Sequence, residues 1–193
     1  MVRRRLMGFA VLLALGAAAF ATTTLAGSSD DFSRFFGGAN IAMEDDCDPR
    51  DPAWNAVGGC TPRREGGDVS RAEFAGENDS PLAASVVGHQ AWRNDPSYLK
   101  VRLGANVLVR NEGGRVHTFT KVAAFGGGKA PAPALNEGLV TAPECPASLD
   151  VAPGESIEVS GLAVGNHRFM CCLHPWMRAL IKVQPQERVR LSP

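Results

Sequence analysis

Several residue types and patterns are scarce in this sequence, and each scarcity narrows the class of protein. The 193 residues include one tyrosine and four histidines, and no long amphipathic period predicts a helical fold. Charged residues balance, with 20 Lys+Arg and 20 Asp+Glu, so the positive charge that nucleic-acid binding requires is lacking. The apolar run near the amino terminus is too short and too rich in alanine for a membrane span. We therefore expect no nucleic-acid partner and no membrane span in the mature protein.

The first 26 residues have the pattern of a cleaved signal peptide. Residues 2–5 are basic, residues 6–21 are apolar, and residues 24–26 offer a small-residue cleavage site. The arginine cluster leaves both the general and the twin-arginine export routes open. Without this segment the chain has 17 basic against 20 acidic residues, a net charge of −3. The sequence thus predicts a protein exported to the periplasm or the extracellular space.

The composition changes from polar to more apolar near residue 81, which divides the mature chain into an extension and a predicted domain. Residues 27–80 are polar and rich in Gly and Asp, which predicts a mostly irregular extension with a short strand at 69–74. Within it, the acidic run 45–51 lacks the glycine and the closing glutamate of a calcium loop, so a solvated loop is the favoured interpretation. Residues 81–185 form the predicted domain, and residues 186–193 form a tail.

The predicted domain has the pattern of short strands and turns that is typical of an all-β fold. Short apolar runs that are enriched in β-branched residues alternate with turns marked by Gly, Pro and Asn. Strands at about ten-residue spacing favour a β-sandwich. Residues 123–149, with four prolines and three consecutive glycines, are predicted to be a long insertion loop. The predicted strands are residues 82–87, 98–103, 107–110, 156–159, 167–172 and 178–183.

The chain has five cysteines, and an odd number leaves at least one thiol free in an oxidising compartment. The most economical account gives one cysteine to a metal and four to two disulfides. We expect Cys47 to pair with Cys60, which would stabilise the extension by about 3 kcal/mol in the chain-entropy model. We expect Cys145 to pair with Cys172. Connectivity is not fixed by sequence, so three alternatives stay open: a buried free thiol at Cys172, separate disulfides at Cys171 and Cys172, and a vicinal pair between them.

A run near the carboxyl end places three soft metal ligands close together. Cys171, His174 and Met177 supply a thiolate, an imidazole and a thioether, and Pro175 favours a tight turn between them. Two histidines, one cysteine and a weak methionine contact are the ligands of a blue copper centre. Strand alternation directs Cys171 to one face and Cys172 to the other, so Cys171 is the predicted ligand.

We expect the second histidine of the site to be His117. It follows a strand and a glycine turn, so the sheet can fix its backbone while its ring projects from the end. His167 lies about 13 Å from Cys171 along an extended strand, which excludes it as a ligand there. His89 follows a glycine in a loop, where a hydrogen-bonded structural residue is the favoured interpretation and a ligand stays open. Met177 alone would be interpreted as core packing, but after Cys-x-x-His a ligand is favoured.

Together, Asn-(x)5-His-Thr-Phe-Thr and Cys-x-x-His-Pro-x-Met resemble the cupredoxins, the small blue copper proteins, over roughly residues 82–184. The ligand spacing is most similar to the amicyanin-like members, whereas plastocyanin-like members have a longer gap before the methionine. The resemblance implies a Greek-key β-sandwich that holds one copper ion near one end. The implied ligands are His117, Cys171, His174 and Met177.

The resemblance also implies roles for neighbouring residues. Thr118 stands where cupredoxins often place an asparagine that braces the ligand loops, and its hydroxyl could make one such bond. Asn111 opens the segment that leads to the first histidine, and it is expected beside the site with Thr118. His174 would be the ligand nearest the surface and the electron port, with Pro175 and Trp176 in an apolar docking patch around it.

Electron transfer is the function that this ligand set implies. A copper centre would pass single electrons between protein redox partners, and the chain is expected to be a monomer. Copper oxidases need paired His-x-His ligands or a second copper domain, and a binuclear centre needs Cys-x-x-x-Cys. The sequence has none of these, so an enzyme is not expected. A copper storage or delivery module, or a metal-stabilised binding domain, stays open as the alternative.

Overall fold

The computed structural model describes residues 39–63, 66–78, 87–129, 135–136 and 138–186. The predicted signal peptide, most of the predicted strand at 82–87 and most of the tail lie outside these residues. Among the described residues, no helix has the length and apolar character needed to cross a membrane.

The first sheet contains a strand from the predicted extension. Its strands, in spatial order, are β2 (Arg93–Asp95), β1 (Ala39–Glu44), β4 (Val107–Asn111) and β8 (Ser156–Val159). β1 runs parallel to β4, whereas β2 and β8 are antiparallel to their neighbours. Alternation along β1 directs Ile41 and Met43 into the core. The sandwich therefore begins earlier in the chain than the predicted boundary at residue 81.

The second sheet completes the sandwich. Its strands, in spatial order, are β3 (Tyr98–Arg102), β10 (Arg178–Gln184), β9 (Gly165–Met170) and β6 (Thr120–Val122). Val101, Phe169 and Ile181 from this sheet share one buried cluster with Ile41 and Val109 from the first. The predicted all-β sandwich is confirmed. Each sheet also joins strands that are not consecutive in sequence, such as β1 beside β4 and β3 beside β10, as Greek-key connections require.

A two-stranded ladder holds the predicted ligand His117. β5 (His117–Thr118) pairs with β7 (Asp150–Val151), and His117 lies opposite Val151. His117 and Val151 are both buried, so the short ladder directs the imidazole inward instead of leaving it at a surface loop.

The extension forms two short helices, not a strand at 69–74, so that prediction is wrong. A 3₁₀ helix spans Pro52–Val57, and α1 spans Arg71–Glu77. Ser70 begins α1, because its Oγ accepts a hydrogen bond of 3.1 Å from the Glu73 N–H. The pattern Ser-x-x-Glu is a recognised sign of a helix start, and it outweighs the apolar residues around it.

The predicted insertion at 123–149 is tied to the sandwich at its far end. Its described part contains a 3₁₀ turn at Cys145–Ala147, and Cys145 is bonded to Cys172. Nearer its start, Gly128 lies flat against the Cys172 carbonyl, where a Cβ would come within 2.0 Å of the oxygen. The insertion thus packs against the residue that follows Cys171.

Candidate metal centre

Three donor atoms from the predicted ligands meet where β9 ends. Cys171 Sγ lies 3.6 Å from His174 Nδ1 and 3.8 Å from His117 Nδ1. All three donor atoms lie within 4.8 Å of one another, and all three residues are buried. One sulfur and two nitrogens therefore face a common point.

The turn between β9 and β10 holds Cys171, His174 and Met177 in a fixed arrangement. The Cys171 N–H donates to the Met177 carbonyl, and the Met177 N–H donates to the His174 carbonyl, each at 2.9 Å. Met177 is 1% exposed and belongs to the same buried cluster as Cys171. The two backbone bonds close the tight turn that Pro175 was expected to favour.

His117 is held from behind by a carboxylate. Its Nε2 lies 2.8 Å from Asp45 Oδ2, and both side chains are fully buried. Because Nε2 is engaged by Asp45, Nδ1 is the ring nitrogen that is directed at Cys171. A metal-binding histidine commonly has its second nitrogen fixed in this way.

The histidines make Cys171 a thiolate. Burial raises the pKa of its thiol, but hydrogen bonds and charge from His117 and His174 outweigh burial and hold this pKa well below its ordinary value. Burial lowers the pKa of His117, but hydrogen bonds with Asp45 and Cys171 raise it to about 9. For His174 burial dominates and its pKa is lowered. The metal-free site thus pairs a thiolate with a protonated His117, and the thiolate is the metal-binding form.

Asn111 braces the segment that leads to His117. Its Nδ2 donates to the carbonyls of Arg115 and Val151, each at 2.8 Å, and its Oδ1 accepts from the Gly113 N–H at 3.0 Å. This buried amide fixes the loop that precedes β5 and ties it to the partner strand β7.

Thr118 links the two ligand segments. Its N–H donates to Cys171 Sγ at 3.3 Å, and its Oγ1 accepts from the Cys172 N–H at 2.7 Å. The hydroxyl therefore makes one bracing bond, as expected where cupredoxins often carry an asparagine.

The cysteine pairing agrees with the prediction. Cys47 is bonded to Cys60, Cys145 is bonded to Cys172, and Cys171 is free and buried. The adjacent cysteines are thus divided between a disulfide and the metal centre, as strand alternation indicated.

His174 is the most exposed of the four predicted ligands, as expected, but the apolar docking patch expected around it at Pro175 and Trp176 is not exposed, so that part of the prediction is wrong. His174 is 7% and Trp176 9% exposed, and Pro175 is buried. Side chains from the extension and the loop before β2 cover them. We call this group the aromatic cap and define it as Trp54, Phe74, His89 and Trp92.

The aromatic cap packs ring against ring over His174. The centroids of Phe74 and Trp92 each lie 6.5 Å from that of His174, and those two rings lie 4.6 Å from each other. His89 is a structural member of the cap, as predicted, since its Nδ1 accepts from the Ala91 N–H at 3.2 Å. Sequence reasoning missed the cap because its rings come from segments with no shared pattern.

Sequence reasoning also missed Asp45, which was interpreted as part of a solvated loop. A signal was present: Ile41, Met43 and Asp45 alternate, and all three are buried on one face of the extended chain. The acidic neighbours Asp46 and Asp48 hid this continuation of β1.

No family model matches the chain, and no curated protein matches it. A purple cupredoxin from Nitrosopumilus maritimus aligns with 76% of this chain and 99% of its own, at 15% identity and a TM-score of 0.39. A methionine-to-alanine variant of amicyanin, in its Cu(I) form, aligns with 48% of this chain and 73% of its own, at 18% identity and a TM-score of 0.33. At these identities and TM-scores, the function must be inferred from the chain's own residues.

The residues present fit a copper ion. Cys171 is free, buried and held as a thiolate, and the two imidazoles present Nδ1 to the same point. The set of two histidines, one cysteine and a nearby methionine is the type 1 copper set.

Proposed function

We propose that this chain is an exported blue (type 1) copper protein that carries single electrons between protein redox partners. The observation that supports this most is the convergence of Cys171 Sγ with the Nδ1 atoms of His117 and His174. Met177 is the proposed weak axial ligand, because it closes the same turn and is buried beside Cys171.

Copper, when bound, supplies one-electron exchange between two oxidation states. The chain's own residues fix the positions of the ligand donor atoms. Thr118 joins the segments of His117 and Cys171, and the backbone bond from Cys171 to Met177 keeps the ligand turn closed. Donors locked by packing and hydrogen bonds keep one geometry, which reduces the rearrangement that accompanies each electron.

The aromatic cap favours electron transfer over copper delivery. A delivery site must let a partner's ligands reach the ion, whereas His117, Cys171 and His174 are all buried here. Electrons need no such opening, so a partner would dock on the outside of the cap. A storage or delivery role is the alternative, and a colourless complex in the experiment below would favour it.

The two disulfides support the proposed periplasmic or extracellular location. Cys47–Cys60 and Cys145–Cys172 require an oxidising compartment to persist. We propose that the protein acts there as a monomer, that it is not an enzyme, and that its partners are redox proteins.

The test is an absorption and paramagnetic resonance spectrum of the copper-loaded protein. We expect an intense visible thiolate-to-copper band in the wild type and its loss in Cys171→Ser and in His117→Asn. The matched control is His167→Asn, whose ring lies away from the site and contacts the Ala163 carbonyl, so its band should persist. A colourless complex, or a band that survives Cys171→Ser, would contradict the proposal.

A further inference from the structure

A fully buried carboxylate at the metal centre comes from outside the ligand segments. Asp45 follows β1 directly and is 0% exposed, although a buried charge carries a large desolvation penalty unless it is paired and hydrogen-bonded. Its neighbour Asp46 is 38% exposed at its side chain and pairs with Arg63. The two adjacent acids therefore differ in environment, which gives a natural control.

Four hydrogen bonds hold the Asp45 carboxylate in one orientation. Oδ1 accepts from the N–H groups of Cys47 and Gly114, at 3.3 and 3.1 Å. Oδ2 accepts from the Arg115 N–H at 2.9 Å and lies 2.8 Å from His117 Nε2. The carboxylate thus fastens the end of β1 to the loop that carries His117.

The same loop is built to admit the carboxylate. A Cβ at Gly113 would come within 2.0 Å of Asp45 Oδ2, so this position leaves room only for a hydrogen atom. Among the described residues, the salt bridge of Asp45 is to His117, while the Arg115 guanidinium is directed at the carbonyls of Val57 and Gly59. When His117 binds metal through Nδ1 it is neutral, and the negative charge of Asp45 then acts on the ligand ring.

We infer that Asp45 is a positioning residue that directs His117 Nδ1 at the metal and lowers the reduction potential of the centre. The inference rests on the proposed copper function. A buried anion behind a ligand makes the imidazole a stronger donor, and it stabilises the more positive Cu(II) state over Cu(I). The amino-terminal extension would then set the potential of a centre whose ligands lie elsewhere in the chain.

The test compares the midpoint potentials of copper-loaded wild type, Asp45→Asn and Asp46→Asn. We expect Asp45→Asn to keep the visible band and raise the potential, and Asp46→Asn to stay at the wild-type value. Equal potentials for the wild type and Asp45→Asn, or the same rise in both variants, would overturn the inference and leave the copper function standing. A wild type with no intense band would overturn both.

A second measurement needs no variant and therefore does not depend on how Asp45→Asn folds. In ¹⁵N NMR of the wild type loaded with diamagnetic Ag(I), the His117 Nδ1 resonance should shift on metal binding. The Nε2–H proton should remain visible and exchange slowly, since Asp45 accepts it. Metal coordination at His117 Nε2 would overturn the inference.

Discussion

The two histidines of the centre lie in opposite kinds of surroundings. His117 is backed by a carboxylate, with the buried amide of Asn111 fixing its loop. His174 is backed by the rings of Phe74, Trp92 and Trp176. One side therefore fixes direction and charge through hydrogen bonds, and the other excludes water through apolar packing. Asp45 on the first side and Phe74 on the second come from the extension, so the extension is part of the centre.

Removing the aromatic side should have the largest effect on stability. Trp92 is 1% exposed and packs against Phe74 and His174, so Trp92→Ala should lower the free energy of unfolding by about 3–5 kcal/mol. Denaturant unfolding of the copper-loaded protein measures this loss. Tyr98→Ala is the matched control, because Tyr98 is 46% exposed and its loss should change stability by less than about 0.5 kcal/mol. Equal values for the two variants would show that the cap does not stabilise the centre.

Weakening the polar side should have a smaller effect. Thr118→Val keeps the side-chain volume but leaves the buried Cys172 N–H without its acceptor, which should cost about 1–3 kcal/mol. The visible band should persist, since no proposed ligand is removed. Thr61→Val, at an exposed position, is the control for the same chemical change and should be nearly neutral. A loss of the band in Thr118→Val would assign Thr118 a direct part in holding copper.

The smallest expected effect is the release of protons on metal binding, which depends on the different protonation states of His117 and His174. His117 is protonated below a pKa of about 9, whereas the lowered pKa values of His174 and Cys171 leave a neutral imidazole and a thiolate at pH 8. Binding of one metal ion at pH 8 should therefore release about one proton, from His117. Affinity should rise by about tenfold per pH unit up to about pH 9 and then level off.

Calorimetry with redox-silent Zn(II), in two buffers of different ionisation enthalpy, counts the protons released. Release of two protons would indicate a protonated thiol or a protonated His174. Release of none would place both histidines in the neutral state before binding.

The convergence of three of the four proposed ligands could be predicted, because those three lie in one short run. Cys171, His174 and Met177 fall within one turn, and the turn is fixed by local backbone bonds. Strand alternation and an odd cysteine count separated Cys171 from Cys172, and the favoured pairing of Cys145 with Cys172 is present in the structure. Donor groups that are close in sequence can be identified from their spacing alone.

The surroundings of the ligands could not be predicted, because distant segments supply them. Asp45 meets His117 across 72 residues, and Trp54 meets Trp92 through packing that no local period encodes. The mistaken strand at 69–74 had the same cause in part, since its last residue, Phe74, packs in the aromatic cap from a helix. Propensity and spacing describe a segment, but they do not say which other segment will cover it.

The adjacent cysteines have a consequence for how the chain matures. When disulfides form, Cys145 can pair with either of two adjacent cysteines. A disulfide with Cys171 would remove the proposed thiolate ligand and leave Cys172 unpaired. Thiol exchange depends on access to the attacking thiolate, so oxidation before β9 pairs with β10 leaves the choice open. Once the strands pair, Cys171 faces His117 and is shielded. We therefore expect the yield of metal-competent molecules after refolding to depend on the redox buffer, since faster oxidation gives Cys145 more chance to pair with Cys171.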